Sequence, residues 1–271
     1  MGISPDSAIG IFDSGIGGLS ILEAMCAELP LEDFVYVADS GHAPYGERDP
    51  AHVIERSGAI ARHLLDQHQI KALVIACNTA TAAAIHLLRQ LYPELPIVGV
   101  EPALKPAATL SRTGRIGVMA TRGTLSSPKF QALMDSLQAP VDFVRQSCDG
   151  LADAIERGDT SRVEALCTDY TSMMGEFGSR PGQIDTLVLG CTHYAFAASY
   201  LRTLLGPQVQ LIDSGIPVAR QARRLLQARE ALGSSPTQRI QLFVTGDPTH
   251  LQAATRDLLH LDERVKTRSI P

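Results

Sequence analysis

The sequence has no excess of basic residues, and this absence excludes one class of partner. Its 24 lysines and arginines are outnumbered by 29 aspartates and glutamates, which gives a formal net charge of −5 at pH 7. Without a basic surface, nucleic acid is not expected to bind. A small anionic ligand is still allowed, because backbone amides at the start of a helix can bind it.

Features of membrane and secreted proteins are also missing. No apolar run is long enough to cross a bilayer, and the first ten residues lack the basic and apolar regions of a signal peptide. The five cysteines are an odd number without a C-x-x-C pair, and the eight histidines do not fall at metal-ligand spacings. The sequence therefore predicts a cytoplasmic protein with no membrane partner, no bound metal and no disulfide framework.

The sequence does contain a pair of matching stretches. Residues 73–79 (LVIACNT) and residues 187–193 (LVLGCTH) are each an apolar run followed by a small residue, a cysteine and polar side chains. Such a run is typical of a strand that is buried on both faces of a parallel sheet. Because ligands bind beyond the carboxyl ends of these strands, we expect Cys77 and Cys191 to lie where chemistry is done.

A second pair of matching stretches indicates a duplicated unit. Residues 9–14 (IGIFDS) and 116–121 (IGVMAT) each begin a series of alternating strands and helices. We therefore predict an α/β fold with two similar parallel-sheet domains, related by a pseudo-twofold axis, with the active site in the cleft between them. The last strand and two helices cannot form a core alone, so we assign residues 1–100 plus 210–271 to the first domain and 101–209 to the second.

The glycine-rich turn at residues 13–18 (DSGIGG) follows the first strand and precedes a helix, which is the order found in dinucleotide-binding folds. Ser20 replaces the third glycine of that fingerprint, and Asp13 would point a carboxylate at the pyrophosphate. We therefore favour a turn that offers amides and a carboxylate to a smaller zwitterionic ligand.

Two thiols on opposite sides of one cleft suit a particular reaction. One base can remove a proton from one face of a carbon while the other delivers a proton to the opposite face, which is racemisation or epimerisation. A thiol has an ordinary pKa of about 8.5 and needs assistance to become a thiolate. We expect Asp13 to take the proton from Cys77, and His193 to take it from Cys191. A helix that follows each motif, starting near Tyr194 in the second, would also favour the thiolates.

The same residues carry a resemblance to a known family. The stretches GIFDSGIGGL (10–19), APYG (43–46), ACNTATA (76–82) and GCTHY (190–194) resemble, in order, motifs of the glutamate racemases in the cofactor-independent aspartate/glutamate racemase superfamily. The resemblance extends over nearly the whole chain. It implies interconversion of L- and D-glutamate without a cofactor, with D-glutamate supplied to peptidoglycan synthesis, and it allows a homodimer.

The resemblance also implies roles for individual residues. Cys77 and Cys191 would be the two bases, assisted by Asp13 and His193 respectively. Glu156 matches a further carboxylate of the family, through the pair IE shortly before a glycine. That alignment is looser, because the preceding segment does not follow the family's usual Cys-Pro-Leu pattern, and Glu156 is a second-rank candidate catalytic residue.

Substrate contacts follow from the resemblance in the same way. A glutamate dianion with an ammonium group needs hydroxyls, amides and helix-start N–H groups, and a carboxylate such as Asp13 for the ammonium. Thr121 is added from its matching position in the second half of the chain. The implied contacts are Asp13, Ser14, Tyr45, Gly46, Asn78, Thr79, Thr121, Thr192 and His193.

Other functions are compatible with the sequence. A superfamily member would act on aspartate or another small acid as a racemase, an isomerase of the maleate type or a decarboxylase, although the single-thiol decarboxylases lack the second cysteine. A cysteine hydrolase using Cys191 with His193 is disfavoured, because residues two apart seldom align as nucleophile and base. A non-catalytic ligand-binding protein on the same fold is the third alternative.

Overall fold

Two parallel β-sheets form the framework of the computed structural model, which describes residues 4–137 and 140–271. The first sheet contains β1 (Ile9–Asp13), β2 (Phe34–Ala38), β3 (Ala72–Ile75), β4 (Ile97–Gly99), β9 (Ile240–Val244) and β10 (Lys266–Thr267). The second sheet contains β5 (Arg115–Ala120), β6 (Asp142–Ser147), β7 (Thr186–Gly190) and β8 (Gln210–Ile212). The pairings within both sheets are parallel.

Helices connect the strands and cover the sheets. They are α1 (Leu19–Glu28), α2 (Pro50–His68), α3 (Asn78–Leu91), α4 (Leu104–Leu110), α5 (Arg122–Leu125), α6 (Pro128–Asp135), α7 (Leu151–Glu156), α8 (Thr160–Met174), α9 (Ala198–Leu205), α10 (Gly215–Gln227) and α11 (Pro248–Leu259). Across the described part of the chain, none of these helices is both long and apolar enough to cross a membrane.

The two sheets repeat one strand order. The first sheet has the order β10-β9-β2-β1-β3-β4, and the second has the order β6-β5-β7-β8. Four strands of each sheet therefore follow the same sequence of neighbours. The central strands β1 and β7 are buried at every position, as expected for apolar runs with helices on both faces. The structure thus confirms the predicted α/β fold with two similar parallel-sheet domains.

The C-terminal part of the chain returns to the first sheet. Strand β9 pairs with β2, and α10 and α11 pack against α1. Strand β8 pairs with β7 and extends the second sheet past the boundary predicted at residue 210. We therefore propose that the second domain ends after Ile212.

One apolar cluster joins the two domains along one side of the cleft. It includes Ile16 and Leu19 from the first domain, and Ile155 and Tyr194 from the second. These four side chains are nearly or completely inaccessible to solvent. The shared core therefore holds α1 against the 3-10 turn at Thr192–Ala197, which directly follows Cys191.

Candidate active site

The candidate site lies at the carboxyl ends of the central strands of both sheets. Cys77 follows β3 after one residue, and Cys191 directly follows β7. Asp13 ends β1, which pairs with β3, and Thr121 directly follows β5, which pairs with β7. Each cysteine therefore has a polar neighbour at the end of the adjacent strand, where parallel sheets bind ligands. Both cysteines are buried, with exposed fractions of 6% and 7%.

Cys77 is connected to Asp13 through the hydroxyl of Ser14. The Cys77 thiol lies 3.9 Å from Ser14 Oγ, and that hydroxyl donates to Asp13 Oδ1 over 3.0 Å. The Cys77 sulfur also caps α3, because it accepts a hydrogen bond from the backbone N–H of Ala80 at 3.4 Å. Ser14, predicted only as a substrate contact, thus stands between the thiol and the carboxylate.

Asp13 also links the two domains. Its Oδ2 accepts a 2.8 Å hydrogen bond from the hydroxyl of Thr192, the residue after Cys191. Burial raises the pKa of the Asp13 carboxyl above its ordinary value, although the nearby His193 acts in the opposite direction. Burial, with a contribution from the Asp13 charge, also raises the pKa of the Cys77 thiol. Cys77 is therefore a thiol at neutral pH unless a neighbouring group accepts its proton.

Cys191 has a different relay, formed by an imidazole and a carboxylate. A 3-10 turn at Thr192–Ala197 brings His193 Nδ1 within 4.0 Å of Cys191 Sγ. The Nε2 atom of the same ring lies 2.8 Å from Glu156 Oε2. The sulfur, the ring and the carboxylate thus form one continuous line of polar groups, which supports the looser family match of Glu156.

The same turn overturns two expectations from the sequence. Helix α9 begins at Ala198, so the helix start expected near Tyr194 lies four residues farther along the chain. The argument that residues two apart seldom align as nucleophile and base also fails, because the tight turn folds His193 back towards Cys191. Cys191 and His193 are therefore compatible with nucleophilic catalysis as well as with racemisation. The role of Cys77 must distinguish these two reactions.

His193 and Glu156 form a buried ion pair. Burial by itself lowers the pKa of the imidazole, but the hydrogen bonds to Cys191 and Glu156 outweigh it and raise that pKa well above 6.5. Burial by itself raises the pKa of the Glu156 carboxyl, but the hydrogen bonds from His193, Ser40 and Ile16 outweigh it and lower that pKa below 4.5. At neutral pH the pair is therefore an imidazolium and a carboxylate.

Replacing Glu156 with glutamine tests this ion pair through its effect on stability. Glu156→Gln is expected to lower the free energy of unfolding by about 1.5–3 kcal/mol, which is typical of a hydrogen bond to a charged group. The loss of stability is largest between pH 4.5 and 6.5. The lowered pKa of Glu156 stabilises the fold fully above the ordinary glutamate pKa of 4.5, and the raised pKa of His193 stabilises it fully below the ordinary histidine pKa of 6.5.

The pH dependence provides the decisive readout. The Glu156 contribution disappears as pH falls through its lowered folded pKa, and the His193 contribution disappears as pH rises through its raised folded pKa. Urea unfolding of both proteins across this range measures the difference. A difference that does not change with pH would contradict the ion pair.

The glycine-rich turn before α1 packs closely against the second domain. The backbone N–H of Ile16 donates to Glu156 Oε2 at 2.8 Å, and a Cβ on Gly15 would lie 2.6 Å from Glu156 Oε1. A Cβ on Gly17 would lie 2.7 Å from the backbone nitrogen of His193. The expectation that this turn offers its amides to a ligand is therefore wrong for Ile16, whose amide binds a carboxylate of the protein. The glycines allow this close approach.

Several predicted substrate contacts lie next to the two thiols. Asn78 and Thr79 begin α3, and the Thr79 hydroxyl lies 2.9 Å from that of Thr121 across the cleft. The side-chain nitrogen of Asn78 is buried and has no hydrogen-bond partner among the described residues. An unsatisfied buried donor is costly, so this nitrogen is suited to a ligand carboxylate. The hydroxyls and the amide at the cleft belong to Ser14, Asn78, Thr79, Thr121 and Thr192.

Tyr45 and Gly46 lie on the loop after β2. The Tyr45 hydroxyl donates to Asp39 Oδ2 at 2.5 Å, and the guanidinium of Arg56 binds the same carboxylate at 3.0 and 3.1 Å. Gly46 lies against Thr121, because a Cβ at that position would be 2.6 Å from Thr121 Cγ2. The Tyr45 hydroxyl is thus already occupied, and the substrate contacts predicted for these two residues would come from their backbone.

The donors at the cleft suit a small organic acid more than a metal ion. Within residues 4–137 and 140–271, no group of three or more histidine, cysteine, aspartate or glutamate side chains is placed to hold a metal. Neutral hydroxyl and amide donors bind carboxylates without adding a permanent charge. A carboxylate such as Asp13 can bind an ammonium group. The set therefore fits an amino acid with more than one carboxylate.

Comparison with known proteins agrees with this geometry. Residues 17–222 match the family described as Asp/Glu/Hydantoin racemase. The chain belongs to this family. A glutamate racemase from Ectopseudomonas mendocina is 47% identical over 253 residues, which are 93% of this chain and 94% of that protein. The chain is therefore an amino-acid racemase.

Solved structures of this racemase family share the whole fold. A glutamate racemase isoform from Bacillus anthracis superposes with a TM-score of 0.84 at 29% identity, covering 98% of this chain and 97% of that one. The glutamate racemase from Francisella tularensis in complex with D-glutamate superposes with a TM-score of 0.83 at 27% identity, covering 98% of both chains. The likeness to these racemases therefore extends over both domains.

Proposed function

We propose that this protein interconverts L-glutamate and D-glutamate by a two-thiol 1,1-proton transfer. The observation that carries the proposal is the pair Cys77 and Cys191, which stand at equivalent strand ends of two similar domains, each with its own proton relay. A single nucleophile would need only one such thiol. Two bases on opposite faces of a carbon are what racemisation of an amino acid needs.

The proton balance of the reaction is simple. One sulfur, as a thiolate, takes the Cα proton, so a C–H bond breaks and an S–H bond forms. The opposite thiol gives its proton to the other face of the carbanion, so an S–H bond breaks and a new C–H bond forms. The two relays then restore the starting charges, through Ser14 and Asp13 behind Cys77 and through His193 and Glu156 behind Cys191.

The cleft supports glutamate as the substrate. We propose that Asn78, Thr79, Thr121 and Thr192 hold the two carboxylates, and that Asp13 holds the ammonium group. The unpartnered amide nitrogen of Asn78 supports this assignment. The relative from Francisella tularensis was crystallised with D-glutamate, which supports the choice of glutamate over aspartate.

The cellular setting follows from the same chemistry. We propose that the reaction needs no cofactor, because the two thiols supply both bases, and that D-glutamate is provided for peptidoglycan synthesis. The two thiols must stay reduced, which supports a cytoplasmic location. A homodimer stays a prediction, which sedimentation equilibrium tests.

A direct assay tests the proposed function. The purified protein is incubated with L-glutamate, D-glutamate, L-aspartate and D-aspartate in separate reactions, without added cofactor, and circular dichroism follows each. We expect both glutamate signals to decay to zero, because the racemic mixture is the equilibrium state, and the aspartate signals to persist. Decay of the aspartate signals alone would contradict glutamate as the substrate, and persistence of all four would contradict racemisation of these acids.

A further inference from the structure

Ser40 makes a contact across the cleft that the proposed reaction has not used. It directly follows Asp39 at the end of β2 and begins a 3-10 turn at Ser40–His42. Its hydroxyl donates to Glu156 Oε1 at 2.5 Å, although the two residues are 116 positions apart in sequence. The bond joins the first domain to the carboxylate behind His193.

The Glu156 carboxylate is held mainly by the opposite domain. Oε1 accepts from Ser40, and Oε2 accepts from the backbone N–H of Ile16 and lies 2.8 Å from His193 Nε2. Ser40 and Ile16 belong to the first domain, whereas Glu156 and His193 belong to the second. The relay behind Cys191 therefore lies within the second domain, but two of the three groups that hold its carboxylate come from the first.

The residue before Ser40 is anchored firmly. Asp39 is fully buried, and its carboxylate accepts hydrogen bonds from Arg56 at 3.0 and 3.1 Å, from Tyr45 at 2.5 Å and from Thr245 at 2.7 Å. Donors from α2, the loop and the end of β9 thus fix one point of the chain. This network limits the freedom of the Ser40 backbone and keeps its hydroxyl directed at Glu156.

We propose that Ser40 is a positioning residue for proton transfer at Cys191, acting through Glu156 and His193. The inference rests on the proposed racemase function and extends it to a residue outside the substrate contacts. The hydroxyl fixes one carboxylate oxygen, so that the other is aligned with the imidazole. Proton transfer at Cys191 in this way depends on a donor from the opposite domain.

The proposal predicts different effects on proton transfer at Cys191 and at Cys77. Ser40→Ala is expected to lower kcat by about 10-fold or more, the effect of losing a hydrogen bond to a charged group, with little change in KM. The isotope effect on kcat with Cα-deuterated glutamate should rise only for the enantiomer that Cys191 deprotonates. Ser40→Thr, which keeps the hydroxyl, should restore both quantities.

The control and the contrary results are well defined. Ser172→Ala removes an exposed hydroxyl on α8 that donates to the carbonyl of Asp169, and it should leave kcat and both isotope effects unchanged. An unchanged kcat in Ser40→Ala, equal changes in the two isotope effects or failure of Ser40→Thr to restore them would overturn the proposal. A wild-type protein that does not racemise glutamate would instead overturn the proposed function.

Discussion

Cys77→Ala and Cys191→Ala are each expected to lower kcat for glutamate racemisation by about 10²–10⁴-fold or more, in both directions. Each turnover needs a base on one face of Cα and an acid on the other, so the loss of either sulfur removes one of the two steps. Both thiols are buried at the cleft, and alanine fits in the space of either cysteine. Circular dichroism with each enantiomer measures the loss.

A third cysteine provides the matched control. Cys26 is a half-buried residue on α1, and burial, with the charge of Glu23, raises the pKa of its thiol to about 12, so it is unreactive at neutral pH. Cys26→Ala should therefore keep the wild-type kcat. Full activity in Cys77→Ala together with loss in Cys191→Ala would contradict the two-base account and favour nucleophilic catalysis by Cys191 with His193.

Gly17→Ala is expected to lower kcat by about 10²-fold, although Gly17 carries no chemical group. A Cβ at this position would lie 2.7 Å from the backbone nitrogen of His193 and 2.8 Å from its Cε1, so the imidazole must move. A displacement of about 1 Å in a catalytic group is enough for a loss of this size. Steady-state kinetics with both enantiomers measures the effect.

Gly58→Ala is the matched control for that substitution. Gly58 lies inside α2, and a Cβ there would meet nothing within 4 Å. The variant should keep wild-type kcat and gain about 0.5–1 kcal/mol in unfolding free energy, because alanine is the better helix residue. Wild-type kcat in Gly17→Ala would show that the tight contact between the turn and His193 does not matter for catalysis.

Local sequence patterns predict much of the framework. A strand buried on both faces must be continuously apolar, so β1 and β3 can be located to within one residue from their composition alone. The duplication is visible because both halves repeat a strand and a cysteine motif in the same order. The sheet that β8 extends could not be predicted, because a strand of three residues has no pattern that indicates its partner.

Local patterns predict the partners Asp13 and His193 of the two thiols, but not the contacts that connect and hold the relays. Ser40 and Glu156 are far apart in sequence and meet only because the two domains face each other. The role of Ser14 between Cys77 and Asp13 depends on how its side chain is directed, which spacing does not determine. The glycines at 15 and 17 suggested a ligand turn, whereas they are needed for close packing of the second domain.

Solvent labelling tests the central claim most directly. Wild-type protein is incubated with L-glutamate in D2O, the reaction is stopped at low conversion, and the two enantiomers are separated and analysed for deuterium at Cα. In D2O the thiol that protonates the carbanion carries deuterium, whereas the opposite thiol holds the hydrogen that was removed from L-glutamate. The D-glutamate formed should therefore carry deuterium, while the remaining L-glutamate keeps its original hydrogen. Deuterium in both enantiomers to the same extent, or product that retains the substrate's hydrogen, would contradict proton transfer by two opposed thiols.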